Sequence, residues 1–243
     1  MFLLSKLAAL MVVLILPNQV HAGRIIGGHE AKEHSRPYMV FLEMHNSAGP
    51  KRFCGGFLLN ENFVMTAAHC QAKSAVAKLG LHNTHTPEAT IPVQQAFPHV
   101  DYDDSTFTND IMLLKLKSKV NVTKNVKPIA LAYQDSGYLP QKCFVSGWGQ
   151  TDWVKDQLST NLMELNVTLF NSENCAKGKS YCSMEETGPG QGDSGGPLVC
   201  EDERAFGVVS SFLKPYNHGP AMFRYTKIPD FIDWIKSTME KAL

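Results

Sequence analysis

The segment Gln191-Gly192-Asp193-Ser194-Gly195-Gly196-Pro197, continued by the apolar pair Leu198-Val199, decides how the remaining residues are read. Gly192 has no Cβ, so its backbone can enter conformations closed to other residues and aim its N–H into a pocket. With the N–H of Ser194 it makes a pair of donors able to hold an oxyanion, often the largest single contribution to acyl-transfer catalysis. Alone, Gly-Asp-Ser-Gly also describes an ordinary turn, because Gly, Asp and Ser dominate turns. The choice rests on partners elsewhere in the chain.

Two segments supply them: Thr66-Ala67-Ala68-His69-Cys70 and Asn109-Asp110-Ile111-Met112-Leu113-Leu114. A serine hydroxyl is a weak nucleophile at neutral pH and needs a base such as histidine. The histidine needs a buried carboxylate to fix its tautomer and stabilise the imidazolium. Taken singly, His69 is an ordinary structural histidine and Asp110 a loop carboxylate ahead of a strand. Taken with Ser194, in the order His, Asp, Ser, the three strings resemble those of the chymotrypsin-like (trypsin-fold) serine peptidases. The resemblance runs from Ile25 to the C-terminus. It implies polypeptide substrates, hydrolysed through an acyl-enzyme. Ser194 is then the nucleophile, His69 the base and later the acid, and Asp110 the group that orients His69. The amides of Gly192 and Ser194 are the oxyanion donors, and Ser210 matches a residue that touches the triad aspartate and lines the substrate groove. No cofactor is implied, and no Cys/His cluster has the spacing of a zinc site.

Short apolar stretches separated by turn residues mark the chain as all-β: residues 37–42, 53–59, 63–65, 143–149, 162–170, 198–200 and 206–211. Residues 121–140 are a mixed polar stretch with two prolines, suited to join two halves. The resemblance implies two six-stranded antiparallel β-barrels, with His69 and Asp110 from the first, Ser194 from the second, and the site between them. Only the end reads as an α-helix. Pro229-Asp230 opens it, Asp233 sits in its first turn, and Phe231, Ile232, Trp234, Ile235 and Met239 form a packing face.

Residues 1–22 read as a signal peptide: Lys6 precedes an apolar run that Pro17 ends, and Val20-His21-Ala22 offers small residues for cleavage. The run is short of the about 20 residues that span a bilayer, so a membrane anchor is the weaker reading. The expected location is outside the cell or in a secretory granule. The 243 residues carry 23 basic and 23 acidic side chains, a balance that argues against nucleic acid as a dedicated partner. Removing residues 1–24 takes away Lys6 and Arg24 and no acid, leaving the mature chain slightly negative. Six cysteines in a secreted chain point to three disulfides, with the pairing left open by spacing. The resemblance implies Cys54–Cys70, Cys143–Cys200 and Cys175–Cys182, each worth about 2–4 kcal/mol. Asn121-Val122-Thr123 and Asn166-Val167-Thr168 match the glycosylation acceptor, the first in a loop and the second within a strand.

Gly23-Arg24 followed by Ile25-Ile26-Gly27-Gly28 matches the family's activation junction, which divides residues 23–24 from a peptidase domain of residues 25–243. By resemblance, an activating protease frees the Ile25 amine, which folds inward onto Asp193. A two-residue pro-segment is similar to those of leukocyte granule proteases (granzymes, mast-cell chymases), a group that serpin-type inhibitors control. Gly188, six residues before Ser194, matches the floor of the primary pocket. The second wall residue depends on register, with Ala221 on one count and Phe223 on the other. The pocket is expected to be apolar, of chymotrypsin or elastase type. Val209-Ser210-Ser211-Phe212 departs from the family, placing Phe212 where a glycine usually meets substrate. That departure keeps open a rival reading, an enzyme with a blocked pocket. The other rival, a binding or antimicrobial protein on the same fold, usually lacks the triad histidine or serine, and both are present here.

Overall fold

The computed structural model describes residues 25–47, 49–133, 139–153, 157–213 and 219–243. The expected signal peptide, residues 1–22, and the expected activation dipeptide Gly23-Arg24 lie outside them. A two-residue strand, β1 (His29–Glu30), opens the described chain but pairs with the second half. The first half is a closed antiparallel barrel of β2 (Met39–His45), β3 (Arg52–Asn60), β4 (Phe63–Thr66), β5 (Ser74–Leu79), β6 (Ala89–Pro98) and β7 (Met112–Leu116). Its strands follow the order β2-β3-β4-β7-β6-β5 and then return to β2. Strand β5 shows the physical rule plainly. Ala75, Ala77 and Leu79 are buried while Ser74, Val76 and Lys78 face outward, because successive side chains in a strand alternate faces. Leu42, Phe57, Leu58 and Met65 fill the interior, each worth about 1.5–3 kcal/mol when buried.

The second half contains β8 (Cys143–Gly147), β9 (Met163–Val167), β10 (Leu169–Phe170), β11 (Ser180–Glu185), β12 (Pro197–Cys200), β13 (Arg204–Leu213) and β14 (Ala221–Lys227). With β1 they form an eight-stranded sheet ordered β1-β9-β8-β12-β13-β14-β11-β10. Six main strands are present as expected, but hydrogen bonds do not close them into a ring. Strands β9 and β11, which would have to meet, pair instead with the two-residue strands β1 and β10. Such short edge strands offer little template for further pairing.

A five-residue helix, α1 (Glu173–Lys177), sits in the loop that Cys175–Cys182 closes. The C-terminal helix α2 (Ile232–Ala242) follows a tight turn at Ile228–Phe231. It returns to the first barrel rather than the second. Ile228, Phe231 and Ile235 join the first core, and Asn60 Nδ2 donates to Met239 Sδ at 3.5 Å. Disulfides join Cys54 to Cys70, beside His69, and Cys143 to Cys200, between β8 and β12. No helix among the described residues is long and apolar enough to cross a membrane.

Candidate active site

Asp110 stands just before β7 and is fully buried. A buried carboxylate is costly unless donors surround it, and here they do. Its Oδ1 accepts the backbone N–H of His69 at 2.9 Å, and its Oδ2 lies 2.7 Å from His69 Nδ1. Ser210 Oγ, from β13, donates to Oδ2 at 2.6 Å. Thr226, from β14, donates its hydroxyl to the Asp110 carbonyl at 2.9 Å. Both halves of the molecule therefore hold one aspartate. With Nδ1 bound to the carboxylate, Nε2 of a neutral His69 is the nitrogen that carries the lone pair.

Ser210 reaches Asp110 because β13 carries a bulge. Val209 pairs with Tyr225 and Ser211 with Arg224, so Ser210 is an extra residue turned out of register. Beyond the bulge, Phe212 pairs with Phe223 across β13 and β14.

The Ser194 loop is built from its own backbone. Asp193 N–H donates to Gly190 O, Gly196 N–H to Asp193 O, and Gly195 N–H to Val209 O. Gly55 N–H, from β3, donates to Ser194 O at 2.8 Å and pins the loop to the first barrel. Gly192 and Gly195 have φ of 94° and 83°, in the left-handed region that favours glycine. A Cβ on Gly195 would fall 2.0 Å from Thr66 Oγ1. Among the described residues, no acceptor meets the amides of Gly192 and Ser194.

Behind the loop lies Asp193, itself buried. Gly149 and Gly190 donate their N–H groups to its two oxygens at 2.7 and 2.8 Å. Burial pushes its carboxyl up to about 7, against the pull of those two bonds. Ile25 is buried, and Ile26 pairs with Gly188.

Two cavities meet at Ser194 and His69. One, of about 250 Å³, is lined by Phe107, Gln191, Ser210, Phe212 and Phe223 as well as Ser194 and His69. Phe107 sets its ring edge-on to His69, with centroids 5.6 Å apart. Of the three residues considered for floor and wall, Phe223 lines this cavity, while Gly188 and Ala221 do not reach it. The Phe223 ring covers Gly188 so closely that a Cβ there would lie 2.3 Å from Phe223 Cζ. Ala221 shares the inward face of β14 with Phe223 but sits two residues along, in the second core. Phe223 and Phe212 pack together and against Trp153, with centroids 5.3–6.4 Å apart. No Asp, Glu, Lys or Arg lines this cavity among the described residues.

The other cavity, of about 560 Å³, is lined by Lys51, Arg52, Phe53, Leu158 and Gly192 along with His69 and Ser194. No local motif marks its two cations, nor Thr226, Gly55 and Phe107. All five come to the site through space rather than through a local motif. Asn121 and Asn166 are both exposed.

The family model described as Trypsin matches residues 25–235. Duodenase-1 of Bos taurus is 43% identical over 246 residues, covering 96% of each chain. Granzyme B of Homo sapiens is 40% identical, covering 98% of this chain and 100% of its own. Granzyme B(G,H) of Mus musculus is 39% identical with the same coverage. A solved structure described as "Structure of GrC" superposes with a TM-score of 0.77 at 36% identity, covering 89% of this chain and all of its own.

Proposed function

Since the chain belongs to the trypsin family and is a serine endopeptidase similar to the granzymes, we propose that Ser194, His69 and Asp110 are its catalytic triad. His69 Nε2 takes the proton of Ser194 Oγ as the oxygen attacks the peptide carbonyl. The amides of Gly192 and Ser194 receive the oxyanion. His69 then protonates the leaving amine, and water releases the acyl group by the same steps in reverse. The observation that carries this reading is the convergence on buried Asp110 of His69 Nδ1, the His69 amide and the Ser210 hydroxyl, with His69 and Ser194 lining one cavity.

The active form begins at Ile25, after an activating protease has cut at Arg24. Its new ammonium pairs with Asp193, a carboxylate that two amides hold among the described residues. The peptidase domain is residues 25–243, with residues 121–140 as the connection between its halves. The chain is secreted or stored in a granule for an immune-type role, carries N-glycans at Asn121 and Asn166, and is controlled by serpin-type inhibitors. Its substrates are polypeptides with a short aliphatic residue before the cut, since the primary cavity has aromatic walls and Phe223 stands over its floor.

Incubating the chain cut at Arg24 with a peptide library tests this. Cleavage after Ala, Val or similar residues is expected, and Ser194→Ala should abolish it. Cleavage by Ser194→Ala at the unsubstituted rate would sink the reading. Phe223 also favours one alternative, a competent triad behind a blocked pocket; it predicts covalent labelling of Ser194 with no library peptide cut.

A further inference from the structure

Resting on the assignment of Ser194 as nucleophile, we infer that the larger cavity binds an acidic residue of the leaving peptide, within the first few positions after the cut, and that Lys51 and Arg52 select it. The two cavities share Ser194 and His69. A polypeptide threaded past Ser194 puts its acyl side toward Phe223, so the departing amine side enters the cavity of Lys51 and Arg52. Phe53 and Leu158 give that cavity apolar walls, which strengthen the field of the cations between them.

The charge there is unbalanced. No carboxylate lines the cavity among the described residues. The acid within reach of Lys51 is Glu43, at 3.7 Å, but Lys78 already holds Glu43 at 2.5 Å. The Glu43 carboxyl lies below its usual range, first through the Lys78 hydrogen bond and further through Lys51 and His45. One acid thus faces several cations. Arg52 donates to the carbonyl of Gln71 at 3.1 Å, which orients the guanidinium without neutralising it. A carboxylate entering this groove meets two exposed cations with unfilled donors.

The test uses quenched peptides identical up to the cut and carrying Asp, Ala or Lys at each of the next three positions in turn. At one of these positions kcat/KM should be about fivefold higher for Asp than for Lys, the size expected of one or two exposed ion pairs. The preference should shrink as salt is raised. It should vanish in Lys51→Gln/Arg52→Gln and invert in Lys51→Glu/Arg52→Glu. The same peptides, bound to Ser194→Ala and followed by fluorescence anisotropy, should show the same order of Kd. Acid-dependent binding without cleavage by the unsubstituted enzyme would support this site while counting against the peptidase reading. Equal binding of Asp and Lys peptides at all three positions, or a preference that survives the double glutamine variant, overturns the inference.

Discussion

Asp193 is the side chain whose charge is hardest to keep where it is. Its folded pKa of about 7 exceeds its ordinary value of 3.8, because burial penalises the carboxylate more than two amides favour it. Between those values the folded uncut chain binds a proton that the unfolded chain has lost, so its stability falls as pH rises from about 4 to about 7. An Ile25 ammonium would remove that penalty. Thermal unfolding of Ser194→Ala, uncut and cut at Arg24, should therefore diverge over this window, with the uncut form losing stability. Parallel curves would show that Ile25 does not serve Asp193. Asp110 makes a different prediction. Asp110→Asn keeps the volume but upsets the His69 tautomer, and the expected loss is about 10⁴ in kcat with little change in Tm. A loss below tenfold in peptide hydrolysis would remove Asp110 from the triad. Phe223→Ala should deepen the primary cavity. Selectivity for Phe or Leu over Ala before the cut should rise by about 10- to 100-fold, at a cost of about 3–5 kcal/mol in denaturant stability. An unchanged ratio would mean that Phe223 does not bound the pocket.

At the scale of elements, the short turn at Ala68–Cys70 holds His69 with little structure of its own. Its side chain is tied down by Asp110 and its neighbour Cys70 by the bond to Cys54 in β3. Replacing both cysteines with alanine should cost about 2–4 kcal/mol in urea unfolding. It should also lower kcat more than it raises KM, since the turn positions His69 rather than substrate. A loss confined to KM would contradict that role. The strings around His69, Asp110 and Ser194 are local and could be read directly. The choice between Ala221 and Phe223 could not, because it depends on the register of β14 against β13. That register is set by the bulge at Ser210, which no periodicity announces. Helix α1 leaves no trace in the sequence pattern, because five residues in a polar loop, Glu173–Lys177, carry no helical period.

At the scale of the whole molecule, the site is a seam. Gly55 of the first barrel holds Ser194 of the second half, while Ser210 and Thr226 of the second half hold Asp110 of the first. An all-β chain with a terminal helix was legible from strand punctuation and from the apolar face beyond Pro229-Asp230, although those two residues form the tight turn ahead of α2 rather than its first turn. The return of α2 to the first barrel was not, because an apolar helix face does not say which surface it covers. The open edges of the second sheet were equally hidden, since strands of two residues leave almost no pattern. The central claim is that this seam activates one serine. It is tested most directly by labelling the chain cut at Arg24 with a fluorophosphonate and mapping the adduct by mass spectrometry. The account predicts one adduct per chain, on Ser194, lost in Ser194→Ala and slowed by at least about 10³ in His69→Ala. An adduct on another serine, or labelling that proceeds at the same rate without His69, would contradict it.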